Sequence, residues 1–177
     1  SDPAGEGGTM SDPRLPGLTG PPGGGLAVGT DLVHVPGLAE QLGQPGTVFA
    51  ERAFTPRERR EAARRSREKG SAQAEHLAAR WAAKESFIKA WSQALVLRAR
   101  ATGASDAPVI APQSVDWRQV EVVSDRWGRP SLHLVGEVAD AVEASLGAGS
   151  AEPGHWPVSL THDGNWAAAV VLYTPAR

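Results

Sequence analysis

The feature that most constrains this chain is a long helical segment, from about Ala72 to about Leu97, that offers water no broad polar face. Projected at about 100° per residue, Leu77, Trp81, Phe87, Ile88 and Trp91 point several ways, so the helix must be covered on most sides. Within it, RWAAKESFIKAW sets Lys84, Glu85 and Lys89 among apolar and small residues. A charge in such surroundings is paired or faces a ligand, because burying it alone is costly. Glu85 and Lys89 lie about 40° apart on the wheel, and the small Ala78 and Ala82 beside them leave room for something to approach. Glu followed by Lys at i,i+4 is also the favoured surface ion pair, worth about 0.2–0.5 kcal/mol, so the pair alone does not decide.

The remaining elements have to wrap around that helix. LAVGTDLVHV (26–35) is rich in Val and Leu and reads as a strand; both of its faces look apolar, which predicts a central position. Asp31 interrupts it, explained either by a turn or bulge at Gly29–Thr30 or by a ligand. PGLAEQLG predicts a short helix stopped by Gly43, and TVFAERAF a short irregular or helical piece. TPRERREAARRSREKG has a helix start in Thr55, Pro56 and Glu58 and reads as a solvated helix ending near Gly70. After the polar loop over 98–115, WRQVEVVSD and PSLHLVG predict two strands joined by DRWGRP, and GEVADAVEASLG a short amphipathic helix. WPVSLTH and NWAAAVVLYT predict a hairpin around DGN. The order implies an α+β domain, a mostly antiparallel sheet packed against one long buried helix and shorter helices.

Length and composition narrow the function. A chain of 177 residues suffices for one domain, expected over 26–177. Residues 1–25 hold eight glycines and five prolines and are expected to be disordered, with Met10 as the native start and SDPAGEGGT as a leftover of an expression vector. A net charge of −2 argues against a nucleic-acid or anionic membrane partner. No apolar run approaches the ~20 residues of a membrane span. With no cysteine, disulfides and thiolate metal sites are excluded, and the expected location is the cytoplasm. Of 18 lysines and arginines only three are lysines (69, 84 and 89), which singles out positions where a compact ammonium is used instead of a planar guanidinium.

Asp31 and Glu85 are two acids in otherwise apolar elements, as a Mg²⁺ site requires: that ion takes one or two carboxylates and leaves its other positions to water and phosphate oxygens. Nearby lysines would neutralise the same phosphates. His162 ends the SLTH strand; Ser159 and Thr161 alternate to the opposite face and could equally cap the turn. The arginines over 57–67 are interleaved with Glu58, Glu61 and Glu68, which favours a solvated helix over a nucleic-acid patch. On these residues alone, a metal-dependent enzyme acting on pyrophosphates and a non-catalytic binding module built around the Arg-rich helix both stay open.

GTDLVHV, FTPRE, RWAAKESFIKAW, DRWGRPSLHL and VSLTHDGNWAAAVV follow one another in order. Together they resemble the holo-acyl-carrier-protein synthase branch of the 4′-phosphopantetheinyl transferases, and its actinobacterial members most. The family pattern is an early G-x-D, a central (F/W)-A-x-K-E-x-x-x-K-A and a late S-x-(S/T)-H; the resemblance spans about 26–173. It implies transfer of the 4′-phosphopantetheine arm of coenzyme A to a serine of an apo acyl carrier protein, or of a carrier domain of a fatty acid synthase, releasing 3′,5′-ADP. This is Mg²⁺-dependent chemistry of fatty acid biosynthesis.

Carried over by position, the resemblance makes Asp31 and Glu85 the metal ligands, and Asp31, Glu85 and Lys89 the catalytic set. Lys89 and His162 would serve the coenzyme A phosphates. Gly128 and Pro130 would lie along the nucleotide end, and Ser159 of the late motif joins the cofactor-binding set. Family members of this length are homotrimers with sites between subunits, so Asp31 and Glu85 would meet a partner's Gly128–Pro130 turn. The chain departs from the pattern in HVPGLAEQL, which lacks the basic residues that dock an acidic carrier helix; Arg57, Arg60 and Arg64 are expected to substitute. The long 98–115 loop is a second departure.

Overall fold

A computed structural model describes residues 25–175; the expected N-terminal disorder and the Met10 start lie outside the described residues. Strand β1 (Ala27–His34) leads directly into helix α1 (Val35–Gly43), whose start is capped by the His34 ring accepting from Gly37 N. Then come α2 (Phe49–Ala53), α3 (Pro56–Lys69), α4 (Gln73–Thr102), β2 (Val120–Ser124), β3 (Pro130–Leu134), α5 (Gly136–Leu146), β4 (Val158–Asp163) and β5 (Trp166–Tyr173). All pairings are antiparallel, as expected, but they form two sheets: β1-β5-β4 and the β2–β3 hairpin.

Helix α4 is the spine. Ala82, Ala83, Phe87, Ala90, Trp91 and Ala94 are buried on it, joined by Val171 of β5, Leu132 of β3, Val142 of α5 and Trp156. The Phe87 and Trp156 rings meet edge-on at 4.7 Å, and Trp91 Nε1 donates to Ser145 Oγ, so each indole keeps a partner for its N–H. The small residues on α4 let the sheet approach closely. The tightest approach is at Gly29 of β1, where an added Cβ would lie 1.9 Å from Ser86 O and 2.5 Å from Ala90 N.

Four expectations need correction. Strand β1 is an edge strand of its sheet and not a central one. Its apolar outer face is uncovered in the single chain: Leu32 is 61% exposed and, on β5, Trp166 is 49% and Val170 42%. No turn or bulge occurs at Gly29–Thr30, since Ala27 to His34 pair without a break with Tyr173 to Trp166; the glycine serves the close approach instead. Helix α3 has the expected capping box, Thr55 Oγ1 accepting from Glu58 N while Glu58 Oε1 accepts from Thr55 N, yet it is not simply solvated, because Glu58 and Ala62 are buried. Helix α4 runs to Thr102, about five residues beyond the expected end, which shortens the irregular loop.

Candidate active site

Strand β1 and helix α4 bring Asp31, Glu85 and Lys89 together. Odd positions of β1 face α4, and Asp31, two residues past Gly29, reaches Lys89: Nζ lies 2.8 Å from Asp31 Oδ1 and donates also to Thr30 O at 3.0 Å. Lys89 therefore bonds to the strand and not to Glu85, its i−4 neighbour. Glu85 is half-buried, and its carboxyl is pushed up first by burial and then by the Asp31 charge, with Lys89 pulling the other way. Two carboxylates in reach of one ammonium are short of positive charge. An oxygen-only donor pair of this kind fits a hard divalent cation that completes its shell with water and phosphate. Among the described residues no group of three or more His, Cys, Asp and Glu is arranged to hold a metal ion.

Lys84 is not at this site, although it precedes Glu85. It points to the other side of α4, wholly buried, with Nζ 2.7 Å from Glu58 Oε1 and 2.8 Å from Trp117 O. From the sequence Lys84 was a charge that had to be paired or face a ligand; it is paired, and its position on the wheel lies about 100° from Glu85.

The other predicted residues gather elsewhere. Gly128, Pro130, Ser159 and His162 line one cavity of about 220 Å³ between the β2–β3 turn, β4 and the start of α4. The turn is held by Asp125, which accepts from the N–H groups of Trp127 and Arg129 and pairs with the Arg129 guanidinium at 2.7 Å; Gly128 takes φ 81° there, a conformation side-chain-bearing residues rarely adopt. The same cavity is lined by Arg65, Lys69, His76 and Arg80, none of which the sequence assigned to a phosphate site. Arg80 is 3% exposed, makes no ion pair among the described residues, and its Nε has no hydrogen-bond partner there. Among the described residues its one hydrogen bond is from Nη1 to His76 O. The His76 ring is held low by burial and by the neighbouring His162, whose ring lies 5.6 Å away; His162 itself sits 3.7 Å from Glu75. Arg65 has a closer carboxylate, Glu61 at 2.8 Å. Buried Arg80 and partly buried Arg65, with exposed Lys69 beside them, give the cavity a positive character that suits phosphate.

These two clusters lie on opposite sides of α4. Glu85 and His76 are nine positions apart, which is about 13–14 Å along the axis and half a revolution around it. The sheet shows the same separation: Asp31 and His162 project from the α4-facing side, but from opposite edge strands, β1 and β4.

The arginines of α3 are largely neutralised. Arg64 pairs with Glu61 and Glu68, each at 2.6 Å, and Arg57 lies 3.9 Å from Glu121; Arg60 has no carboxylate within ion-pair reach among the described residues.

Residues 27–171 match the 4′-phosphopantetheinyl transferase superfamily. The chain is 47% identical over 149 residues to a holo-[acyl-carrier-protein] synthase of Corynebacterium glutamicum, covering 84% of this chain and 98% of the relative. It is 45% identical over 148 residues to the Mycobacterium tuberculosis protein of the same name, covering 83% of this chain and 95% of the relative. Among solved structures, the ACPS–CoA complex of Chronobacterium ammoniagenes superposes with a TM-score of 0.68 at 44% identity, covering 86% of this chain and 99% of that one.

Proposed function

The chain belongs to the 4′-phosphopantetheinyl transferase superfamily, and from that premise we propose that it transfers the 4′-phosphopantetheine arm of coenzyme A to a serine hydroxyl of an apo acyl carrier protein, releasing 3′,5′-ADP. The observation that carries the reading is the pairing of an acid–lysine centre on one flank of α4 with a cationic cavity on the other. The Chronobacterium relative was solved with coenzyme A, a ligand whose pyrophosphate and 3′-phosphate suit those two features.

The chemistry is a displacement at phosphorus. The serine oxygen forms a bond to the phosphorus that bears pantetheine, the bond from that phosphorus to the bridging oxygen breaks, and 3′,5′-ADP leaves with the electron pair. Asp31 and Glu85 would hold Mg²⁺, which when bound disperses charge on the pyrophosphate oxygens. Lys89, fixed by Asp31 and Thr30 O, presents its ammonium to those oxygens. Glu85, half-buried and with raised basicity, is the protein group placed to receive the serine proton, directly or through a water. Arg80, Lys69, His76 and His162 would hold the phosphates of the nucleotide, with Gly128, Pro130 and Ser159 shaping the wall beside them.

In coenzyme A the pyrophosphate and the 3′-phosphate flank one ribose, a shorter span than the separation of the two clusters across α4. A complete site therefore needs the acid–lysine centre of one copy and the cavity of another. The uncovered face of Leu32, Trp166 and Val170 supplies an apolar surface for self-association, and we take the assembly to be a homotrimer. No helix of the described residues is long and apolar enough to cross a membrane; from the proposed role in fatty acid synthesis we infer a cytoplasmic setting.

The deciding experiment is intact mass of a purified apo carrier after incubation with coenzyme A, Mg²⁺ and the protein, beside a Glu85→Ala control. Gain of one phosphopantetheine arm, absent in the control, is expected. Consumption of coenzyme A without any gain by the carrier would replace the transferase reading with a hydrolase.

A further inference from the structure

We propose that His34 makes self-association of the protein sensitive to pH, letting copies hold together near neutral pH and separate as the medium turns acid; this rests on the shared assembly proposed above and adds how it is regulated. Even-numbered residues of β1 point away from α4, and the pairing with β5 and β4 sets His34, Trp166 and Asp163 in one row across the end of the sheet. Leu32 and Val170 lie on the same face, so the imidazole stands at the margin of the uncovered apolar surface.

The protonation state of the ring follows from its bonds. Gly37 N donates to His34 Nδ1 at 3.3 Å at the start of α1, so Nδ1 carries no proton and the ring is neutral. A second proton has to go onto Nδ1, where it would end the cap and face an N–H group. The ring also lies against the Trp166 indole, with centroids 4.9 Å apart. Charged neighbours are few. Strand β5 brings none on this face, α1 carries Glu40, and β4 carries Asp163 on the far side of the indole; Asp31 of β1 points to the opposite face. Among the described residues the one histidine within ion-pair reach of a carboxylate is His162, not His34.

The direction of the effect depends on what assembly changes. The cap and the indole contact are internal to one chain and weigh on a charged ring alike in a free and an assembled copy. Covering the face is different, because it takes the ring out of water, and a charged ring on an apolar surface without a carboxylate is costly. The free copy therefore binds the proton more readily, and acid favours dissociation. A ring that stays neutral in the assembly weakens it about tenfold per copy at one pH unit below about 6.5, the ordinary value for imidazole. Because a complete site needs two copies, transfer would fade with assembly.

Analytical ultracentrifugation in steps from pH 7.5 to 5.5 tests this, with circular dichroism recorded on the same samples. His34→Asn is the informative variant, since Asn also caps a helix start but takes up no proton. For wild type the concentration at half-assembly is expected to rise about tenfold or more by pH 5.5, and for H34N to change by less than about threefold. Wild-type assembly insensitive to pH overturns the proposal, as does assembly that tightens in acid, which would pair the charged ring with a partner subunit's Asp163. An equal acid response in H34N overturns it by assigning the effect to other groups, and so does unfolding that precedes dissociation. A wild type that is monomeric at pH 7.5 removes the shared assembly and this inference together, while phosphopantetheine transfer by that monomer keeps the transferase reading. Absence of transfer alongside the expected assembly behaviour overturns the transferase reading alone.

Discussion

Lys84 and Glu58 form a 2.7 Å ion pair in which both side chains are wholly buried, one residue away in sequence from Glu85. The pair is a structural joint. Glu58 also accepts from Thr55 N and Val122 N, and Lys84 donates to Trp117 O, so one buried knot ties α3, the start of β2 and α4 together. Burial holds the Lys84 ammonium below its ordinary value while Glu58 opposes that shift, and the charged pair persists because each partner satisfies the other.

Lys84→Met should therefore destabilise the fold without touching the chemistry. It leaves Glu58 buried and uncompensated, at a cost of about 3–5 kcal/mol. Adding Glu58→Gln, which keeps an acceptor for Thr55 N and Val122 N but removes the stranded charge, is expected to recover about half of that loss or more. Urea unfolding of the two variants reads this directly, and equal stability of K84M and wild type would refute the structural assignment.

Gly29→Ala tests how the acid–lysine centre is assembled. A Cβ 1.9 Å from Ser86 O cannot be accommodated, so β1 must shift away from α4 and carry Asp31 with it. The outcome expected is a drop in turnover of about a hundredfold or more in protein that remains folded by circular dichroism, since misplacement of about 1 Å can cost that much. Wild-type turnover in G29A would show that Asp31 does not need this placement.

His76 gives a pH dependence whose sign can be worked out. Burial and His162 lower its pKa in the fold, so below the ordinary histidine value the unfolded chain takes up a proton that the folded one resists. Stability from this group is complete at neutral pH and is lost as pH falls below about 6.5 toward the lower folded value, and His76→Asn should flatten that slope. A phosphate in the cavity favours the protonated ring. Binding of 3′,5′-ADP should then tighten as pH falls from about 7.5 to 6 and be accompanied by proton uptake, measured by calorimetry in buffers of different ionisation enthalpy. Proton release on binding would contradict the placement.

Carrier docking separates the arginines of α3. With Arg64 held between Glu61 and Glu68 and Arg57 near Glu121, Arg60 is the one of these three left without a carboxylate among the described residues. Arg60→Glu is expected to raise the carrier KM by about fivefold or more while leaving the KM for coenzyme A alone, and Arg64→Glu to do less. No change in carrier KM for R60E would move the docking surface off this helix.

The order of elements was legible because local signals were strong: the Thr55–Glu58 capping box, the DGN hairpin and the apolar girth of α4 each predict what is found. Glu85 and Asp31 stood out as acids in apolar settings, and their neighbourhood follows from Gly29. Tertiary facts were not legible. Val and Leu on both faces of β1 imply cover on both sides, but a chain read alone cannot say whether the second cover is its own or another copy's. Arg65 and Arg80 looked like any of the chain's many arginines, and only the packing of α3 and β4 around the start of α4 turns them, with Lys69 and His76, into one cationic cavity.

A site shared between copies makes a prediction that no single-chain site makes. Glu85→Ala removes a carboxylate from the acid–lysine centre, and a Lys69→Ala/His162→Ala double variant strips an ammonium and an imidazole from the cavity, so each protein alone should be nearly inactive. If each centre works with the cavity of a neighbouring subunit, mixed assemblies contain sites in which a double-variant subunit supplies Glu85 and an E85A subunit supplies the intact cavity. For random mixing at equal amounts, each of those two conditions holds for half of the positions, so about one quarter of the wild-type activity should return. Unfolding and refolding the two variants together, then measuring transfer to an apo carrier by mass, gives the number. A mixture no more active than its components would place both halves of the site on one chain and require α4 to be crossed in some other way.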